Sequence, residues 1–490
     1  MQIRSNSLLA KKILRIWSQN SQKIYCYENN QSFRAIDLLD KIKILKKKIK
    51  KNYRKRSVVF MNEKNSVDWV CAYLTFKLHN FYIIVIPNSI TDINFKLLID
   101  FVKPNIIFKK NDIFFNNRKK SLLEKILKKK KIHIKNISYD FLFTTGTTSF
   151  PKGVCIPESS YLKTSRNLIK ILKQSKNDTE LLSMPFSHSF GLTRLRCCLI
   201  GGQKFYITDG LKNFPEIYKN MIKYNVNGLS LVPSAIELIK ALLKKRINNF
   251  SNKIKYFEIG SSSLSLNTRK WLKKNFKITN IKHHFGSTEA SRSFFAPRGS
   301  EDNLKLSSSY MGRKAGYIKY RLRDPKTKKI NKYFGEMEIS GKNLAAGYFC
   351  GEDKNEKAFS DNWFKTSDIV IKKNRLLYFK GKKNSIINIG GNKILPEEIE
   401  KKIELINKVK ISLCGGVKDA IFGERIAVIV VLNKDTQKNR QNVYTNINDI
   451  FSKDPFFKRP KIIKFLNKIE ISYNGKKRRE INYFKKLLRN

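Results

Sequence analysis

Several short stretches of this 490-residue chain concentrate residue types that handle phosphate and carboxylate groups. The densest is Phe141-Leu142-Phe143-Thr144-Thr145-Gly146-Thr147-Thr148-Ser149-Phe150-Pro151-Lys152-Gly153-Val154. Hydroxyls, glycines and a lysine crowd into one loop behind an apolar run. Backbone N–H groups and hydroxyls of such a loop turn inward around an anion, and the lysine adds a mobile positive charge. The order differs from the GxxxxGK[ST] loop of P-loop NTPases, which removes that family. Taken alone, the stretch also fits a Thr/Gly-rich surface turn.

Further stretches follow downstream. Pro185-Phe186-Ser187-His188-Ser189-Phe190-Gly191 sets His188 among aromatics, by itself the setting of a core histidine. Ile259-Gly260-Ser261-Ser262-Ser263-Leu264 is a small-residue turn, and small side chains let backbone approach a flat base closely. Phe285-Gly286-Ser287-Thr288-Glu289, Trp363-Phe364-Lys365-Thr366-Ser367-Asp368, Gly381-Lys382-Lys383-Asn384 and Ser472-Tyr473-Asn474-Gly475-Lys476 each read alone as turns or solvated charges. Together, and in this order, the stretches resemble the signature segments of the adenylate-forming superfamily. That group comprises acyl-CoA synthetases, aryl-CoA ligases, luciferases and nonribosomal peptide adenylation domains. The resemblance covers essentially the whole chain.

What the resemblance implies is a division of labour around ATP. Thr144, Thr145, Gly146, Thr147, Thr148 and Lys152 would bind the β- and γ-phosphates. Ser261, Ser262 and Ser263 would lie along adenine, with Phe285 stacking and Gly286 beside it. Thr288 would bind the α-phosphate, and Glu289 with Thr144 would hold Mg²⁺. Asp368 and Lys382 would contact the ribose, His188 would stand near the substrate carboxylate, and Lys476 would bridge that carboxylate and the α-phosphate. Five positions depart from the family pattern, the first being Ser149 in the Thr/Gly-rich loop. Phe285 replaces tyrosine and keeps the stacking face. Ser367 replaces glycine and puts the turn geometry in question. Lys382 replaces arginine and loses its planar fork. Asn384 stands at the family's hinge and tolerates unusual dihedrals.

The implied activity has two half-reactions, formation of an acyl-adenylate with release of pyrophosphate and transfer of the acyl group to a thiol. The thiol would be CoA, giving a carboxylic acid–CoA ligase, or the phosphopantetheine of an acyl carrier protein. A stand-alone amino-acid adenylation enzyme is a further alternative. Such enzymes usually bear an aspartate for the α-amine in the segment held here by Ser187–Gly191, and none is present. The substrate is therefore expected to be an acyl or aryl carboxylic acid without an α-amine, as in fatty acid metabolism. A basic binding protein on an inactive ligase fold is the alternative from another class.

The elements that must position these residues read as an α/β fold: a large N-terminal domain with mostly parallel sheets and a small mobile C-terminal α/β domain. The spacing predicts helices over 33–50, 67–79, 93–102 (with Asp92 as N-cap) and 234–243. It predicts strands over 57–61, 81–87, 105–108, 226–232 and 256–259. A boundary near Gly381–Asn384 divides 1–381, the AMP-binding domain, from 382–490, the domain carrying Lys476. In the latter, 409–413 and 425–432 read as strands, and helices are expected from Pro396 and over 443–451.

The formal charge of +61 suggests nucleic acid, anionic membrane or an acidic protein as partner. The lysines are spread along the whole chain, which fits solvated faces and compositional drift rather than a specific nucleic-acid site. Seven cysteines form no CxxC pair, so neither zinc nor a disulfide framework is expected. A cytoplasmic protein with reduced, mostly buried thiols follows. No apolar run reaches transmembrane length, which leaves peripheral membrane contact open.

Overall fold

The helix–strand alternation builds sheets with parallel centres in the computed structural model. It describes residues 7–49, 56–88, 90–116, 121–130, 132, 138–144, 152–243, 247–350, 355–389, 392–471, 477–478 and 481–489. The chain divides into two units. Residues 1–308, 312–319 and 339–364 form the first; residues 309–311, 320–338 and 365–490 form the second.

In the first unit, a seven-stranded sheet runs in the order Gly347–Cys350, Lys152–Pro157, Tyr139–Thr144, Tyr82–Val85, Val58–Met61, Ile106–Lys109 and Asp112–Phe115. Its inner strands are parallel and its edges antiparallel. Val58–Met61 and Tyr82–Val85 are buried at every position, as strands covered on both faces must be. A nine-stranded sheet sets Asn280–Phe285, Tyr256–Ile259, Gly228–Leu231, Thr179–Leu182, Lys204–Ile207 and Ile24–Glu28 side by side. These strands are parallel too, and the strands that bear the candidate site end among them.

The expected elements at 57–61, 67–79 and 105–108 form as Val58–Met61, Val67–Leu78 and Ile106–Lys109. One cap is corrected. The helix Asp92–Val102 is capped by Thr91, whose hydroxyl accepts from the Asn94 N–H, and not by Asp92. Thr91 has the extended dihedrals of a residue just outside the helix, whereas Asp92 is its first turn and faces the positive helix end.

In the second unit, the strands Val409–Asp419 and Gly423–Leu432 form a long hairpin. The short pair Ile387–Ile389 and Asn392–Ile394 joins one edge, and Ile462–Phe465 pairs parallel to Gly423–Leu432. One face is covered by the helices Pro396–Ile403 and Gln437–Ser452 through Ile399, Ile403, Val443, Ile447 and Phe451. On the other face, Leu413, Ala427, Ile429 and Val431 pack with Tyr483 and Phe484. The helix expected over 443–451 is longer, beginning at Gln437 behind its Thr436 N-cap.

Asp140 pins the strand that feeds the Thr/Gly-rich loop. Its carboxylate is fully buried, lies 2.5 Å from Lys77 Nζ, accepts from Tyr73 Oη at 2.6 Å and pairs with Arg196. Arg196 in turn stacks on the Tyr161 ring at 3.7 Å. Burial alone would raise the Asp140 pKa, but Lys77 and Arg196 hold it below the ordinary carboxylate range. Removing the acid would leave two cations buried without an anion. Asp140→Ala is expected to cost the first unit about 3–5 kcal/mol, read as an earlier unfolding transition in denaturant. Stability equal to that of the parent chain would show that the cluster contributes nothing.

Candidate active site

The Thr/Gly-rich loop is closed at its base by pairing. Strands Tyr139–Thr144 and Lys152–Pro157 are antiparallel, with Thr144 directly opposite Lys152. Thr145, Gly146, Thr147 and Thr148 lie outside the described residues, as does Lys476. Lys152 stands 6.0 Å from the centroid of the Tyr348 ring. The Tyr348 hydroxyl donates to Glu289 Oε1 at 2.7 Å, and both residues are buried. Burial, then the Glu289 carboxylate, pushes the Tyr348 phenol far above its ordinary pKa, so it remains a donor. Glu289 is further tied by its backbone carbonyl, which accepts from the Ala345 N–H at 2.8 Å. The strand Gly347–Cys350, paired to Lys152–Pro157, thus brings the acid of one motif beside the lysine of another.

Thr288 is half-buried, and Phe285, at the end of Asn280–Phe285, lies 6.3 Å from Phe294 between ring centroids. The turn after Tyr256–Ile259 is held from below. His283 Nε2 lies 2.9 Å from the Ser262 carbonyl, and burial, with Arg298 nearby, pushes that imidazole down to about 3. A neutral ring with its proton on Nε2 donates this bond. Ser261 has φ +77°, Ser262 is half-buried and Ser263 is exposed. His188 stands at the N-cap of the helix Ser189–Gly201 with extended dihedrals, and its N–H donates to Pro185 O at 3.2 Å. Gly191 permits this tight turn: a Cβ there would stand 2.3 Å from Pro185 O and 2.4 Å from Met184 O.

The second unit holds the other candidates. Asp368 is buried and ion-paired with Lys382, whose Nζ also donates to Thr366 O at 3.1 Å. The Asp368 N–H donates to Thr366 Oγ1 at 3.0 Å, and that hydroxyl donates to Met337 O at 2.8 Å. Ser367 carries the left-handed turn between them at φ +59°. The serine adopts the conformation for which glycine is usual. The Gly390–Gly391 turn lies outside the described residues, and Asn384 is the middle residue of the short helical turn Lys383–Ser385.

Reasoning from sequence missed Tyr348, which has no spacing signal: its partner Glu289 is 59 positions away. It also missed Lys477, whose ammonium lies 2.7 Å from Glu400 and 2.6 Å from Glu404 on and beside the helix Pro396–Ile403. Burial would lower the Lys477 pKa, but the two carboxylates raise it above the ordinary lysine value. Of two adjacent lysines, 477 is committed to the fold.

Glu289 suits a hard cation. Tyr348 occupies one carboxylate oxygen, and among the described residues nothing bonds the other. Among the described residues no three His, Cys, Asp or Glu side chains converge as a metal cage. A single carboxylate completed by phosphate oxygens and water is how Mg²⁺ is commonly held at nucleotide sites.

A model of AMP-binding enzymes matches residues 48–349, more than half of the chain. The chain belongs to the AMP-binding enzyme family. An oxalate–CoA ligase of Saccharomyces cerevisiae is 27% identical over 348 residues, covering 69% of this chain and 62% of the relative. A peroxisomal butyrate–CoA ligase of Arabidopsis thaliana is 25% identical over 365 residues, covering 71% of this chain and 62% of the relative. The matched region thus spans less than two thirds of either relative's length. Among solved structures, ATP-bound MatB from Rhodopseudomonas palustris superposes with TM-score 0.80 at 17% identity, over 97% of this chain and 98% of that one. The o-succinylbenzoate CoA synthetase MenE of Bacillus subtilis, in complex with its acyl-adenylate OSB-AMP, gives 0.79 at 17% identity, over 98% of each chain. This AMP-binding enzyme therefore shares their fold, a mixed α/β architecture with a large N-terminal and a smaller C-terminal part.

The Ser367 turn yields a direct test. A side chain at left-handed φ is strained, so Ser367→Gly is expected to stabilise the second unit by about 1 kcal/mol in urea unfolding. Ser367→Ala is expected to give no such gain. Equal stability of the glycine variant and the parent chain would show an unstrained turn.

Proposed function

We propose that this AMP-binding enzyme is an ATP-dependent carboxylic acid–CoA ligase. The observation that carries the reading is the meeting of Glu289 and Lys152 on opposite parts of Tyr348. An acid for a cation and a lysine for phosphate, 137 positions apart, share one rigid aromatic support. The names of the relatives, all acid–CoA ligases, favour CoA as the thiol over a carrier protein.

In the first half-reaction a carboxylate oxygen attacks the α-phosphorus of ATP, the bond to the β-phosphate oxygen breaks, and pyrophosphate leaves. Two anions must approach, so the residues contribute charge and alignment more than proton transfer. Lys152 and the threonines 144, 145, 147 and 148 hold the departing phosphates, with the Gly146 backbone giving them close access. Mg²⁺, when bound at Glu289 and Thr144, neutralises phosphate oxygens. Thr288 holds the α-phosphate, Phe285, Gly286 and Ser261–Ser263 receive the adenine, and His188 orients the carboxylate. Asp368 accepts from the ribose hydroxyls; its pairing with Lys382 fixes the direction in which the carboxylate points. Lys476 bridges the carboxylate and the α-phosphate. In the second half-reaction the CoA thiolate attacks the acyl carbon and AMP leaves. A swivel at Asn384 withdraws Lys476 between the two steps.

Among the described residues no helix is long and apolar enough to cross a membrane, and the cysteines described are free and buried. Reduced thiols suit a cytoplasmic setting.

Carboxylate-dependent ATP–pyrophosphate exchange tests the reading. Lys476→Ala is expected to lower exchange by about 100-fold or more, the scale of losing one transition-state cation. Thiol transfer from preformed acyl-adenylate should stay within a few-fold of the parent. Undiminished exchange would remove Lys476 from the catalytic role.

A further inference from the structure

Three of the motif-bearing segments meet on one side chain that no motif includes, His284. Its ring lies edge-to-face against Phe190, 4.9 Å between centroids at 85°. It also packs against Gly260, where an added Cβ would come within 2.1 Å of Cε1 and 2.5 Å of Nε2. It directly precedes Phe285. The side chain is only 8% exposed, and Nδ1 lies 2.7 Å from Glu258 Oε1. Among the described residues nothing bonds Nε2.

Behind His284 the structure is filled with paired charge. Glu258 takes Arg292 Nε at 3.1 Å and lies 3.3 Å from an Arg194 nitrogen. Arg194 Nε donates to Glu180 at 2.7 Å, and Arg292 donates to the Ser189 and Phe190 carbonyls at 3.0 and 3.1 Å. None of these four side chains is more than 2% exposed. Two carboxylates and two guanidiniums cancel, so His284 is not needed as a cation. Burial, despite Glu258, lowers its pKa, which leaves a neutral ring at pH 7. The carboxylate requires the proton on Nδ1, and Nε2 is then a bare acceptor.

We propose that His284 closes the acid-binding pocket between Phe190, Gly260 and Phe285, and selects a short carboxylic acid that carries a hydroxyl group. The assignment rests on the ligase reading above. A long alkyl chain running past the ring meets the ion pairs of Glu258 with Arg292 and Arg194 directly behind it, which cannot be parted cheaply. A hydroxyl donates to Nε2, whereas a second carboxylate would face its lone pair. An acid lacking the hydroxyl leaves Nε2 unmatched, a loss that polar pockets discriminate strongly.

Pyrophosphate exchange should be compared for glycolate, 3-hydroxypropionate, propionate, succinate and octanoate, with the parent chain, His284→Phe and His284→Gly, each checked by thermal melting. In the parent chain a hydroxy acid is expected to exceed its unsubstituted counterpart in kcat/KM by about 10-fold or more, with octanoate near background. His284→Phe keeps the volume and should abolish the hydroxyl preference while still refusing octanoate. His284→Gly leaves Glu258 its two arginines, frees only the volume of the ring, and should also lose the hydroxyl preference while octanoate stays near background. Best exchange with octanoate or succinate in the parent chain, or a hydroxyl preference that survives His284→Phe, would overturn the assignment. Exchange with none of the acids would overturn the ligase reading itself, and this assignment with it.

Discussion

Buried carboxylates facing cations are the constraint on which the rest of the structure depends. The chain carries 100 lysines and arginines against 39 acids, yet several of those acids are inside. Most of these burials are compensated by a cation. Asp140 faces Lys77 and Arg196, Glu258 faces Arg194 and Arg292, Asp302 faces Arg269 at 2.8 Å, and Glu338 faces Arg321 and Arg323. An ion buried without a partner is strongly destabilising, so these pairs dictate which strands and helices can be neighbours.

The pairs also lie directly beneath the loops with chemistry to do. Asp140 is on the strand that enters the Thr/Gly-rich loop, and Glu258 is two residues before Gly260 on the strand that enters the serine turn. Glu289 and Asp368 belong to the motifs themselves and are braced by Tyr348 and Lys382. Rigid support under short loops is the physical condition for holding phosphate and carboxylate groups in line. The excess of lysine and arginine over acids means that most of these cations have no buried acid to pair with.

Much of the candidate site was legible because its residues work through local backbone geometry. The Thr/Gly-rich loop, the serine turn, FGSTE and the aspartate after Ser367 each read alone as turns or solvated charges, and it was their order, resembling that of the adenylate-forming superfamily, that marked them as candidates. The strand and helix alternation that carries them was legible, since fully apolar runs such as Val58–Met61 have one stable use in an α/β protein. Where the reading failed it was at helix starts: by six residues at Gln437–Ser452 and by a single residue of capping at Asp92–Val102. Thr91 and Asp92 are both good caps, and only the dihedrals of the chain entering the helix choose between them.

The sequence by itself thus determined the family and the α/β class, because the signature segments and the helix–strand alternation are each encoded within short runs of consecutive residues. The tertiary structure alone decided how those groups are braced. That Tyr348 holds Glu289 beneath Lys152, that Lys477 is spent on Glu400 and Glu404, and that His284 rests on Glu258 with one nitrogen free all depend on strand order. The reason is physical: a buried hydrogen bond or ion pair gains its strength from exclusion of water. Which side chains are excluded together is a property of packing that no local pattern records.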